Sequence, residues 1–370
     1  MTEQQTYIPW DLAEHFIYDG FVHLGVPKDD AIICTDVILE SDRRGIESHG
    51  CNRFKSMYID RIDQGLQKPV TRLEICKETP TTLVVDAHQG LGMVASYRIM
   101  QRLIEKSKHD GLAMGVIKNS SHYGIAGYWS TMASKEGMLG ISGTNTRPMQ
   151  APTFGVSPVL GTNPLAFAFP TDESFPFLFD GATCVHSRGK IECYERMHSL
   201  TPKGVAIGID GHFLQNSHDI LQKFKTKEAA MLPVGGAGED LAGYKGYGLA
   251  TVVEILCAAL SGGDYLSQLS GYDAKGHRVH HNVGHFFLVI NPDFFLGEHL
   301  FTHISGNILR EIRSSQKAPG QERIFTAGEK AYETWIDRKN KGIPLLPRVQ
   351  QEFISLRDRF HLSYIFPFEN

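Results

Sequence analysis

Between residues 82 and 142 the chain changes its hydrophobic period again and again. Leu83-Val84-Val85 reads as a short strand, 93–109 as a helix, and 112–117 as an apolar run suited to a buried strand. Residues 124–136 return to helix and 138–142 to strand. Strands this short bury too little surface alone, so the alternation demands a sheet covered by helices, an α/β architecture. Further strands are expected at 165–169, 177–179 and 285–290, and a strongly apolar helix at 246–260. The two chain ends differ from this middle. Residues 1–65 read as helical, with Pro9 and Pro27 near helix starts and Gly25, Gly45 and Gly65 as stops. The tail from 294 onward is mostly helical and is expected to pack back on the N-terminal helices.

At 370 residues the chain has room for two or three compact units, at ~150 residues each. Its 37 basic and 41 acidic residues leave a formal charge of −4, which argues against a surface built for nucleic acid but permits a local basic pocket. The six cysteines include no Cys-x-x-Cys pair, and their low density fits reduced thiols in the cytoplasm. The N-terminus shows no signal-peptide pattern, and no apolar stretch is long enough for a membrane span.

Two Ser-His pairs are the strongest local features: Ser48-His49 in RRGIESHGCNRF (43–54) and Ser121-His122 in KNSSHYG (118–124). Each follows a regular element and sits beside glycine, so each imidazole can stand on a loop at a cleft edge, where it can accept and return a proton near neutrality. The plainer alternative is a surface histidine or one satisfied in the core. Arg53 lies four residues after His49, on the same face if that stretch is helical. Its guanidinium can grip a carboxylate through two hydrogen bonds; the alternative is a solvated arginine or a partner for Glu47.

GTNTRPMQAP (143–152) and GTNPLAFAFP (161–170) both place Thr-Asn after glycine, a pattern of anion-binding turns or of tight turns alone. Asp180, after the run 177–179, can orient a histidine or can simply end a strand. GYKGYG (243–248) enters the apolar helix with Lys245 and can cradle phosphate, but it is neither a P-loop nor a G-x-G-x-x-G fingerprint. His280, His281 and His285 give a remote alternative, a metal-dependent hydrolase, without a familiar ligand spacing. No G-x-S-x-G elbow occurs.

Taken together, SHG (48–50), SHYGIAGYW (121–129), NTRPMQAPTFG through GTNPLAFAFP (145–170), DGAT (180–183) and GYKGYGL (243–249) resemble the type-2 malate/L-lactate dehydrogenase family, from about residue 8 to residue 340. Ureidoglycolate, sulfolactate and cyclic-imine oxidoreductases also belong to that family. The resemblance implies a non-Rossmann nicotinamide-binding domain with a mixed sheet, residues 76–292, and a helical domain from both chain ends, 1–75 with 293–370. It implies a homodimer and hydride transfer between NAD, or NADP, and a small 2-hydroxy/2-oxo acid, malate and oxaloacetate first, with a cyclic imine or ureidoglycolate as the alternative. A non-catalytic binding protein on the same scaffold is a further alternative. By the same resemblance Ser48, His49 and Asp180 form a charge relay, Arg53 and Thr162 bind substrate, and His122 is a proton acceptor. The cofactor positions are His122, Thr146, Asp180, Gly181, Ala182, Lys245 and the late loop with Thr326, Gly328 and Glu329; no metal is implied. The chain departs from the family pattern at Ala327, where proline is usual, at the longer loop 235–242, and at Cys184, where serine is common.

Overall fold

The computed structural model describes residues 6–369. The N-terminal part comprises β1 (Thr6–Ile8), α1 (Trp10–His23), α2 (Lys28–Arg43), α3 (Cys51–Arg53), a π-helical turn (Phe54–Ile59) and α4 (Asp60–Asp63). There follow β2 (Glu74–Glu78), β3 (Thr82–Asp86), α5 (Gly92–Asp110), β4 (Leu112–Ser120), α6 (Ala126–Ser134), β5 (Leu139–Thr144), β6 (Leu165–Phe169) and β7 (Phe177–Gly181). A small unit contains α7 (Arg188–Arg196), β8 (Ala206–Gly208), β9 (Phe213–Leu214), α8 (Ser217–Thr226) and β10 (Ala229–Met231). The chain then forms α9 (Gly243–Ala258), β11 (Val283–Ile290), α10 (Glu298–Ser314), α11 (Glu329–Arg338), β12 (Ile343–Leu345) and α12 (Pro347–Arg359).

The central sheet is mixed, in the order β2-β3-β4-β11-β5-β6-β7. Only β3 and β4 run parallel; the other neighbours are antiparallel. The expected strands and helices of the middle of the chain are all present, with ends shifted by a few residues. β11 is inserted between β4 and β5, with Val283 opposite Ser120 and His285 opposite Thr144. This register brings the end of β4, the start of β11 and the end of β5 to one edge of the sheet.

One face of the sheet is covered by α5 and α6, whose Met100, Leu103 and Trp129 join a large core with Phe287. The same core takes in Phe16 and Phe21 of α1, Phe54, Tyr58, and Phe353 of α12. The other face is covered by α9 through Val253 and Cys257, packed on Val116 and Phe286. The tail divides. Phe353 returns to Phe16, their rings 4.8 Å apart. α10 instead ties to the β6–β7 hairpin through Arg310 and Asp172, and its Leu300, Ile304, Ile308 and Ile312 stay exposed.

The helix boundaries follow the local chemistry. Pro9 and Pro27 stand immediately before α1 and α2, and Gly25 and Gly45 leave them at φ +83° and +75°, which glycine adopts without a Cβ penalty. The short strands of the small unit and of the β1–β12 pair are not legible in the sequence, because strands of two or three residues carry almost no periodicity.

Candidate active site

The Ser48–His49 turn links α2 to α3 and is fastened from beneath. Asp42 accepts the Cys51 N–H through Oδ2 at 2.8 Å. Gly50 lies against the same carboxyl, where any Cβ would overlap it. Burial pushes that carboxyl up to about 7. Above it Ser48 Oγ lies 2.9 Å from His49 Nδ1. Arg53 donates through Nε to the Ser48 carbonyl at 2.7 Å. The first turn of α7 closes over this group, since a Cβ on Gly189 would lie 2.9 Å from Ser48 Cβ.

His122 follows β4. Its Nδ1 is 2.7 Å from the Tyr58 hydroxyl and 3.3 Å from the Gly124 N–H. With its proton on Nε2 the neutral ring accepts at Nδ1; with its proton on Nδ1 it donates to the Tyr58 hydroxyl and leaves the Nε2 lone pair free. Tyr58 reaches this position from the π-helical turn, a local widening of the helix that is frequent at functional sites. Ser121, the serine of this second pair, faces away: its hydroxyl donates to the Gly90 carbonyl and accepts from Gln67 and Gly92. The His49 and His122 rings stand 5.7 Å apart and 21° from parallel. Burial first, and Arg53 second, lower His49 to about 4. Burial, then His49 and Arg53, hold His122 well below the usual histidine range. Both rings are therefore neutral at neutral pH, and both retain partial exposure to the crevice.

Ser48, His49, Arg53 and His122 thus meet, from stretches that adjoin only in the folded chain. Asp180 does not join them. Its Oδ2 accepts the Gly127 N–H of α6 at 2.7 Å, and no hydrogen bond links it to His49. The physical reason is the N-terminus of α6, whose free amide groups attract a carboxylate. Asp180, Gly181 and Ala182 mark the half-buried end of β7.

The two Thr-Asn segments serve one another. Thr162 N–H donates to Thr146 Oγ1 at 2.9 Å, and Thr146 N–H to Asn163 Oδ1 at 3.1 Å. Asn163 Nδ2 and Asn145 Nδ2 both reach Glu254, a buried carboxylate in the apolar helix α9, at 2.8 and 3.4 Å. The side chains of both asparagines are thereby used structurally, while the Thr146 and Thr162 residues stay half-exposed. The late loop lies beside β7: Leu178 N–H donates to the Ala327 carbonyl at 3.2 Å. Gly328 adopts φ +95° there, and Glu329 is consumed internally by the Thr326 N–H, at 2.9 Å, and by Arg323.

His285 cannot serve as a metal ligand where it stands: Ser120 and Thr144 hydroxyls occupy both ring nitrogens at 2.8 Å, and Tyr123 stacks on it at 4.4 Å. Among the described residues no group of three or more His, Cys, Asp or Glu is placed to hold a metal ion, and no helix is long and apolar enough to cross a membrane.

The nicotinamide dinucleotide that the resemblance implies would require donors for its phosphate and ribose oxygens. Lys245 stands exposed on the first turn of α9 and has no carboxylate partner among the described residues. Together with the half-exposed hydroxyls of Thr146 and Thr162 it supplies donors of the kind such a group needs. Sequence reasoning missed Tyr58, Arg61, Arg147 and Glu254. Only Glu254, a lone carboxylate within an apolar helix, left a readable signal.

Neutral imidazoles thus stand beside a guanidinium at the edge of an α/β sheet. Comparisons with known proteins give the family. The model of the malate/L-lactate dehydrogenase family matches residues 8–353. A malate dehydrogenase of Pyrococcus horikoshii is 40% identical over 357 residues, 96% of each chain. An L-sulfolactate dehydrogenase of Methanocaldococcus jannaschii is 36% identical, covering 88% of this chain and 87% of its own. The crystal structure of malate dehydrogenase from Entamoeba histolytica has a TM-score of 0.95 at 37% identity, covering 98% of this chain and 100% of that one. The chain belongs to the malate/L-lactate dehydrogenase family. It is an oxidoreductase acting on 2-hydroxy acids.

Proposed function

We propose that the protein interconverts malate and oxaloacetate, with NAD as the cofactor. The observation that carries this reading is the convergence of Ser48–His49, Arg53 and His122 in one crevice. Arg53 holds the carboxylate next to the reacting carbon. Its Glu192 contact is long, 3.7 Å, so the guanidinium has donors to spare. His122 carries the proton. It is mounted at the end of a core strand and braced by Tyr58 and Gly124, the rigidity a proton carrier needs. A tyrosine hydroxyl can donate or accept, so Tyr58 stays bonded to Nδ1 in either protonation state of the ring. In malate oxidation Nε2, unprotonated while Nδ1–H donates to Tyr58, accepts the hydroxyl proton; in the reverse direction it returns that proton to the 2-oxo oxygen. Ser48 gives His49 the same kind of partner. An anion bound at Arg53 offsets the guanidinium field and raises both imidazoles toward a useful range.

The bound cofactor supplies or accepts the hydride. Lys245, Thr146, the strand end Asp180–Ala182 and the backbone of the late loop from Thr326 to Glu329 would hold it. Asp180 acts there by shaping the start of α6 and not by orienting His49.

We infer further that two copies pair. Leu300, Ile304, Ile308 and Ile312 form an exposed apolar row on α10, as in a face covered by a second chain. All six cysteines are free thiols, which fits a reducing compartment, the cytoplasm.

The test is an initial-rate panel of oxaloacetate, pyruvate, other 2-oxo acids and cyclic ketimines with NADH and with NADPH. Oxaloacetate with NADH is expected to lead. A lead for ketimines, or no oxidation of either cofactor, would overturn the reading. Light scattering on the purified protein should give twice the chain mass.

A further inference from the structure

The crevice has a second cationic corner that the steps above leave unused. β4, β11 and β5 are neighbours, with Val283 opposite Ser120 and His285 opposite Thr144. His122 lies two residues beyond Ser120, His281 two residues before Val283, and Arg147 three residues beyond Thr144. All three therefore emerge at one edge of the sheet. Arg61 lies three residues after Tyr58, whose hydroxyl touches His122, and its Nη1 is 3.4 Å from His281 Nε2.

The loop that carries Arg147 is pinned. Asn145 Oδ1 accepts the Gly284 N–H at 2.7 Å, Asn145 Nδ2 donates to the Asp264 carbonyl at 3.1 Å, and Pro148 restricts the backbone just after. Yet the side chain so placed has no counter-ion. Arg147 is half-buried and makes no hydrogen bond or ion pair with any described residue. Arg61 is 6% exposed, and among the described residues its guanidinium hydrogen-bonds only to the His281 ring. Arg278, alongside, donates to the neutral Gln64. A guanidinium removed from water without an anion is costly, so a place that holds two of them is arranged for a charge that arrives from outside.

We propose that Arg147, supported by Arg61 and His281, binds a second anionic group on the substrate, so that the enzyme selects 2-oxo acids bearing two anionic groups over those bearing one. This rests on the reading of the crevice as a 2-oxo acid site, in which Arg53 takes the first carboxylate. The mutual influence of these groups supports it. Burial, then Arg278 and Arg147, lower Arg61 to about 10. Burial, then Arg61 and Arg147, lower His281 to about 3, so His281 is neutral and contributes a ring N–H rather than a charge.

The experiment compares oxaloacetate with pyruvate, both with NADH, in the wild type and in Arg147→Gln. NADH affinity is read separately by fluorescence without substrate. Losing a charged partner of an anion should lower kcat/KM for oxaloacetate by ~10²-fold. The pyruvate value should change less than about threefold and NADH affinity not at all. Equal losses on both acids would overturn the proposal, as would no loss. A weaker NADH complex would assign the guanidinium to a cofactor phosphate and likewise overturn it. A turnover-free arm keeps the test separate from the catalytic reading: succinate should raise the Tm of the wild type more than butyrate does, and Arg147→Gln should abolish that difference. If the wild type reduces no 2-oxo acid but keeps the succinate effect, the proposed reaction fails and the anion subsite stands. If succinate and butyrate act alike on the wild type, the subsite fails.

Discussion

Two arginine-rich regions of this protein make opposite use of the same side chain. At the β6–β7 hairpin, Arg310 is bonded to Asp172 at 2.8 Å and to Glu173 at 3.3 Å, and Arg313 to Glu173. The Arg310 guanidinium holds Asp172 down at about 2. In the crevice Arg53, Arg61, Arg147 and Arg188 gather, and among the described residues Glu192 is the one carboxylate paired with any of them, at 2.9 Å from Arg188 and 3.7 Å from Arg53. The first region is closed electrostatically and fastens two elements. The second holds more guanidinium than carboxylate charge among the described residues. Arginine count does not distinguish them; the number and placement of carboxylates does.

The contrast can be broken by substitution. His122→Ala should cost ~10²–10⁴-fold in kcat, the usual contribution of a placed proton carrier, and unaltered turnover would remove His122 from the chemistry. Arg53→Ala should raise the oxaloacetate KM by about 10²-fold with a smaller effect on kcat; an unchanged KM would deny it the carboxylate.

The pH profile sharpens the same point. Proton acceptance in malate oxidation needs neutral rings, and His49 protonates only at about 4. The profile of kcat/KM for malate should therefore stay flat as pH falls through 6.5 and bend only toward that lower value. A bend at 6.5 would show that the free crevice does not depress its imidazoles.

Glu192→Gln removes the carboxylate that competes for the crevice arginines. Steady-state kinetics should show the oxaloacetate KM falling by about fivefold, the equivalent of ~1 kcal/mol for a partly screened charge; a rise would mean that Glu192 instead positions Arg53. Smallest of all should be Arg310→Gln at the neutralised hairpin. Exposed pairs contribute little, so activity should be unchanged and Tm only slightly lower. A large loss of activity would mean that the two regions are coupled.

Much of the fold was readable because strands β3 to β6 and helices α5, α6 and α9 carry their own periodicity. Asp180 shows where that kind of reasoning stops. A carboxylate at a strand end can orient an imidazole or cap a helix, and only the position of Gly127 decides for the helix. Ser121 is a second instance, since nothing local distinguishes its hydroxyl from that of Ser48. The late loop is a third: Glu329 is spent on Thr326 and Arg323, contacts that its sequence neighbours do not reveal.

By itself the chain's sequence determined the α/β layering, the two histidine loops and an arginine within reach of one of them, because periodicity, glycine stops and short spacings are local properties. The tertiary structure alone decided that β11 enters between β4 and β5, that Tyr58 braces His122, and that Arg61 and Arg147 have no carboxylate partner among the described residues. The physical reason is that a missing partner is a fact about everything within a few ångströms, and that neighbourhood is assembled from segments more than a hundred residues apart.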